Sequence, residues 1–136
     1  MFLSFYNVHT PIQANEKHIN YFNKKISEMA NNEVRTKSEG DAITRLNQTN
    51  SEYASMVYAV DENVGKLIKS LKDSDLYENS LIIFSSDNGG LSTLGKVISP
   101  TSVYPLRAGK GWLYLSLIHI SEPTRRRGIA VGGVGV

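Results

Sequence analysis

One short run constrains this chain more than any other: Ser80-Leu81-Ile82-Ile83-Phe84-Ser85-Ser86-Asp87-Asn88-Gly89-Gly90. Its centre is continuously apolar, β-branched and aromatic, and it is bounded by polar residues and glycines. That pattern predicts a strand buried on both faces. At the end of the strand a carboxylate and an amide stand side by side, Asp87 and Asn88, followed by two glycines. Oxygen donors of this kind suit a hard cation, calcium or magnesium, rather than zinc. The glycines let the backbone turn sharply and come close to whatever the cation holds. In open α/β sheets ligands bind just beyond the carboxyl ends of the strands, where this pair would sit. The same residues also read as a strand that ends in an Asn-Gly turn and holds no metal.

The 136 residues suffice for one domain or a piece of a larger one. With no cysteine, disulfides and thiolate metal sites are excluded and the redox compartment is not legible. No apolar run reaches the ~20 residues of a membrane helix. The N-terminal Met1-Phe2-Leu3-Ser4-Phe5-Tyr6 has neither the basic region nor the cleavage site of a signal peptide. It reads as a strand entered part-way, so Met1 is expected not to be the natural start. The formal net charge of +2 sits entirely in the tail, where Arg125, Arg126 and Arg127 face only Glu122. Residues 1–114 are neutral, which argues against nucleic acid as a partner.

Residues 2–8 predict a short strand ending near His9, because Pro11 cannot continue a central strand and disfavours helix at Thr10. A helix is expected from about 15 to 30, with Ile19, Phe22, Ile26 and Met29 on one stripe. Residues 31–48 are polar and charged and read as an irregular surface connection. Thr49 or Asn50 could cap a second helix running to about 71 or 72. Its stripe is Tyr53, Val57, Val60, Val64, Leu67, Ile68 and Leu71, with Asp61, Glu62, Lys66, Lys69 and Lys72 facing solvent. Residues 73–79 turn into the strand of the opening run. The order strand, helix, helix, strand predicts a crossover between parallel strands. Such strands put their carboxyl ends on one edge, so His9 and the Asp87-Asn88 pair are expected to face one crevice.

Beyond Gly90 the chain is rich in glycine, serine and proline up to Pro105, then reads Leu106-Arg107-Ala108-Gly109-Lys110-Gly111-Trp112. A phosphate-binding loop is excluded, since Tyr104 stands where the first glycine belongs and Gly111 replaces the Ser or Thr. Lys110, flanked by glycines, is sterically open and could point at an anion; alone it reads rather as a solvated surface lysine. His9 alone reads as a hydrogen-bonded structural histidine.

Taken together, these pieces resemble the type I sulfatase family of the alkaline-phosphatase-like superfamily. The matching stretches are Leu3-Ser4-Phe5-Tyr6-Asn7-Val8-His9-Thr10-Pro11, Tyr53-Ala54-Ser55-Met56-Val57 with Asp61-Glu62-Asn63-Val64-Gly65, residues 82–90, and residues 105–114. They occur in the family's order and spacing over residues 1–114. The resemblance implies an α/β fold, part of a mixed, mainly parallel sheet flanked by helices. It implies that Asp87 and Asn88 are two ligands of an active-site calcium, and that His9 hydrogen-bonds the sulfate ester and assists protonation of the leaving group. Lys110 resembles the lysine that holds a sulfate oxygen. A cation and an ammonium stabilise charge on a transferring sulfuryl group, and an imidazole is suited to protonating an alkoxide.

The departures from the family bear equally on function. The family's nucleophile is a formylglycine made from Cys or Ser in a Cys/Ser-x-Pro-x-Arg motif upstream of the histidine, with further acidic calcium ligands earlier still. Neither region occurs before His9, so residues 1–114 are expected to be an internal part of the catalytic domain, inactive alone. Ser121-Glu122-Pro123-Thr124-Arg125 fits the motif's pattern, but it follows Lys110 and lacks the Leu-Thr-Gly continuation. It also lies within Leu115-Ser116-Leu117-Ile118-His119-Ile120-Ser121-Glu122-Pro123-Thr124-Arg125, which resembles a translated transposase sequencing adapter residue for residue. Residues 115–136 are therefore expected to be a non-native tail. The implied function is calcium-dependent hydrolysis of sulfate monoesters, with carbohydrates the expected carriers, in the periplasm or outside the cell. A phosphate-ester hydrolase of the same superfamily, or a non-catalytic domain binding through two amphipathic helices, are the alternatives.

Overall fold

The computed structural model describes residues 1–115, together with the side chains of all of these except Tyr114. In chain order it contains helix α1 (Ile19–Ser27), strands β1 (Thr36–Glu39) and β2 (Ala42–Arg45), and helix α2 (Ser51–Asp73). Single 3-10 turns lie at Tyr77–Asn79 and Leu113–Leu115. The chain forms two units from interleaved segments. The first takes Met1–Glu33 and Thr49–Ile83; the second takes Val34–Gln48 and, among the described residues, 84–115.

In the first unit α2 begins where its sequence allows a cap. The Asn50 side chain accepts from the Tyr53 backbone N–H at 2.9 Å, satisfying one of the donors that a helix start leaves open. Glu52 in the first turn and Lys72 in the last match the helix dipole. The face that packs is centred on Ser55, Met56 and Ala59, and Val57, expected on the stripe, is 45% exposed. The segment before α1 explains the rotation: Asn15 N–H donates to Ser55 Oγ at 2.9 Å and Gln13 N–H to Met56 Sδ at 3.4 Å.

Helix α1 is shorter than its apolar pattern. At its start Asn15 Oδ1 takes the Lys17 N–H at 3.1 Å, a local turn that competes with helix. At its end Ser27 Oγ donates to the Lys24 carbonyl at 2.8 Å, and the chain leaves the helix at Glu28. Ile19, Phe22 and Ile26 are half-buried, while Met29 is exposed. His18 meets the Tyr58 ring edge-on at 4.5 Å, and Phe22 meets it at 5.8 Å.

The two expected parallel strands, residues 2–8 and 80–86, are not strands among the described residues. A strand exists through its ladder, and neither stretch pairs with a neighbour there. Leu81, Ile83 and Phe84 are accordingly 88%, 78% and 72% exposed instead of buried. What the described residues do contain is a mixture of helix with a small antiparallel sheet.

That sheet lies where an irregular connection was expected. β1 and β2 pair with Glu39 opposite Ala42 and Thr36 opposite Arg45. The two-residue turn between them places Gly40 at φ +60°, a conformation glycine adopts without strain. The second unit is built around β2, and its interior is largely polar: Glu39, Thr44, Arg45, Ser92, Thr93, Ser99 and Thr101 are all buried. Hydroxyls and charges so placed require partners. Thr44 and Thr93 share a hydroxyl–hydroxyl bond of 2.6 Å, and Ile43 and Arg45 N–H donate to the Gly95 and Ser92 carbonyls at 2.7 and 2.8 Å. Arg45 sends Nη1 to the Ser99 carbonyl and Nε to that of Asn47, at 2.8 and 2.9 Å.

Candidate active site

Asp87 and Asn88 lie on a bend, the first exposed and the second half-buried. Ser86 Oγ closes the bend by donating to the Asn88 carbonyl at 2.8 Å. Just beyond, Gly89 N–H donates to the Leu115 carbonyl. The Gly90 carbonyl accepts twice, from Ser92 N–H at 2.9 Å and from Lys110 N–H at 3.0 Å. The Asp-Asn-Gly-Gly turn and the Gly-Lys-Gly turn, well separated in sequence, are thus joined backbone to backbone.

The approach is as close as a glycine permits. A methyl group on Gly109 would run into the Gly90 carbonyl and the Ser92 hydroxyl. Ser92 is fully buried and its hydroxyl donates to the carbonyl of Ala108, itself fully buried. Ala108 sits at φ +59°, a region that a residue with a Cβ rarely adopts. The preceding residue is anchored separately: Arg107 Nε donates to Glu39 Oε1 at 2.8 Å, with Lys37 Nζ at 3.5 Å from Oε2. The Arg107 hydrogen bond, reinforced by Lys37, holds the Glu39 carboxyl below the usual carboxylate range, although burial acts in the opposite direction.

Of the residues expected to act together, Asp87, Asn88 and Lys110 belong to the second unit and His9 to the first. His9 is exposed, and its Nδ1 lies 2.8 Å from the Thr10 carbonyl. A carbonyl only accepts, so Nδ1 is the donor in that bond. The Tyr6 ring lies 5.9 Å away, tilted by 47°. The serine motif at 121–125 and the rest of the tail beyond Leu115 lie outside the described residues.

A carboxylate oxygen and an amide oxygen on adjacent residues fit a hard cation in kind. In number they are a minority, since calcium takes about six to eight oxygens. Among the described residues no group of three or more His, Cys, Asp or Glu gathers to supply the others.

Two residues that build this region, Ser92 and Glu39, carry no sequence motif of their own. The Gly40-Asp41 pair is a hairpin-turn signal, yet its flanks lack the apolar alternation that would have promoted it.

A family model described as Sulfatase matches residues 1–116. Arylsulfatase J of Mus musculus is 30% identical over 111 residues, covering 82% of this chain and 14% of that protein. A sulfatase of Formosa agariphila is 35% identical over 74 residues, covering 48% of this chain and 12% of its own length. The uncharacterized sulfatase YdeN of Escherichia coli K12 is 41% identical over 44 residues, 32% of this chain and 8% of the relative. The chain therefore spans a small part of each of these curated relatives.

Proposed function

The chain belongs to the sulfatase family, and on that premise we propose that its protein hydrolyses sulfate monoesters, with sulfated carbohydrates as the substrate class. The observation that carries the proposal is the junction of the two motifs through Gly90, Ser92 and Lys110. It brings together the backbone of a pair of hard oxygen donors and that of an ammonium-bearing residue, from segments distant in sequence. Asp87 and Asn88 would hold calcium, which supplies positive charge to stabilise the sulfuryl oxygens. Lys110 binds a sulfate oxygen, and its flanking glycines leave the ammonium room to reach it. His9 hydrogen-bonds the ester; an imidazole that gains a proton on Nε2 can return it to the departing alkoxide.

The fold proposed for the whole protein is α/β, with residues 2–8 and 80–86 becoming parallel strands once neighbouring strands pair with them. Among the described residues no helix is long and apolar enough to cross a membrane. A periplasmic or extracellular location, and a non-native origin for residues 115–136, belong to the same proposal.

The test is the reading frame upstream of Met1. It is expected to encode Cys/Ser-x-Pro-x-Arg, the source of formylglycine. The extended protein, assayed with an aryl sulfate and an aryl phosphate in millimolar calcium, should turn over the sulfate and lose at least tenfold in rate with Asp87→Ala. Preference for the phosphate, or full activity in Asp87→Ala, defeats the proposal. The 136-residue chain, which contains no cysteine, should show no turnover in the same assay.

A further inference from the structure

The catalytic reading leaves unused one tightly packed point of the second unit, the contact between Ser92 and Ala108. Ala108 is fully buried at φ +59° and precedes Gly109-Lys110. A left-handed alanine is strained and persists only where its surroundings enforce it. Three contacts enforce it here. The Ser92 hydroxyl holds the Ala108 carbonyl, the Gly90 carbonyl holds Lys110 N–H at 3.0 Å, and Gly109 fills the space between with no room for a side chain. Ser92 is in turn fixed from behind. Its carbonyl accepts from Arg45 N–H at 2.8 Å and from Ser99 Oγ at 2.5 Å, and its own N–H donates to Gly90 at 2.9 Å. One buried serine thus ties β2, the Asp-Asn-Gly-Gly turn and the lysine turn to one another.

We propose that Ser92 is a positioning residue: through its hydroxyl it holds Ala108 in the left-handed conformation and so fixes the Lys110 backbone against the turn bearing Asp87 and Asn88. The proposal rests on the sulfatase reading for what Lys110 does, but not for the clamp itself. Its distinguishing consequence is a rescue. Glycine adopts a positive φ without a Cβ penalty, so Ala108→Gly should relieve the need for the hydroxyl. A serine that merely fills space would not be rescued in this way.

The first measurement is amide hydrogen exchange of Lys110 in the 136-residue chain, with no calcium or sulfate required. A lost hydrogen bond of ordinary strength corresponds to roughly a 3–10-fold change. Ser92→Ala is expected to lower protection of the Lys110 amide by that factor, and Ser92→Ala with Ala108→Gly to restore it. Ser99→Ala, which removes a bond to Ser92 but leaves the clamp, is expected to leave Lys110 protected. Unchanged protection in Ser92→Ala, no recovery in the double variant, or equal loss in Ser99→Ala each overturns the proposal.

The second measurement is aryl sulfate hydrolysis by the extended protein, where Ser92→Ala should lower kcat about tenfold more than it changes KM and the double variant should recover kcat. Exchange rescued without kcat rescued would show a clamp that does not serve the reaction, and would overturn the positioning role. An extended protein inactive on aryl sulfate would instead count against the sulfatase reading, with the clamp still decided by exchange.

Discussion

Arg107 Nε donates to Glu39 Oε1 at 2.8 Å, joining the end of β1 to the segment that carries Lys110. The bond lowers the pKa of Glu39 in the folded chain relative to the unfolded one. A carboxyl of that kind contributes stability that is complete above its unfolded pKa, about 4.3. The contribution disappears as the pH falls through that value to the lower folded one. Glu39→Gln should therefore be less stable than the parent at pH 7, with the gap closing below about pH 4. Urea midpoints measured from pH 7 to pH 3 check this; a gap that persists unchanged at pH 3 would mean that packing, not ionisation, sets the contribution.

Asn50 caps α2 through the Tyr53 N–H. Replacing it with alanine leaves that donor without its partner, and the expected loss is about 1 kcal/mol. Asp at the same position keeps the acceptor and adds a charge that the helix start favours. Thermal melts of Asn50→Ala and Asn50→Asp should fall on opposite sides of the parent or, for Asp, coincide with it.

Two glycines should respond to a methyl group with opposite signs. Gly65 lies inside α2 with nothing within 4 Å of where a Cβ would stand. Gly65→Ala is expected to stabilise by roughly 0.5–1 kcal/mol, through helix propensity and a less flexible unfolded chain. Gly109→Ala forces a methyl into the Gly90 carbonyl and the Ser92 hydroxyl. A destabilisation of about 1–3 kcal/mol is expected for such overpacking. Denaturant unfolding of the two variants side by side settles both.

The apolar run at 81–84 makes a further prediction. Leu81, Ile83 and Phe84 are exposed and no ladder satisfies their backbone among the described residues. Such a stretch is a template for pairing with another chain. At rising concentration the protein should elute above its 15.1 kDa mass, and Ile83→Lys should shift it toward monomer in light scattering. A monodisperse parent at high concentration would refute this.

These cases also explain what could be read beforehand. Both helices were legible because apolar residues recur at helical spacing and Asn50 is a cap by residue type. Asp87, Asn88 and Lys110 stand out as candidates because the features that mark them are local in sequence: donor type and neighbouring glycines. The face of α2 was misjudged at Val57, since hydrophobicity alone does not say that Asn15 will seek the Ser55 hydroxyl. The hairpin was missed because its interior is Glu39, Thr44 and Arg45, whose burial depends on partners as distant as Ser99 and Arg107. The strands at 2–8 and 80–86 were expected from composition, but a strand is a property of two segments, and pairing is not encoded in either one.

The interleaving of the two units has a consequence for synthesis. The chain passes from one to the other after Glu33, after Gln48 and after Ile83. When the hairpin leaves the ribosome, the Ser92 and Ser99 carbonyls that its Arg45 requires have not yet been made. Helix α1 likewise waits for α2 on the far side of that hairpin. Each unit must hold half of itself open while the other is translated, so their assembly is governed by closures spanning about fifty residues, which are slow to find and late to form. A protease cutting once after Gln48 would divide both units, whereas a cut after Glu33 divides only the first and a cut after Ile83 only the second.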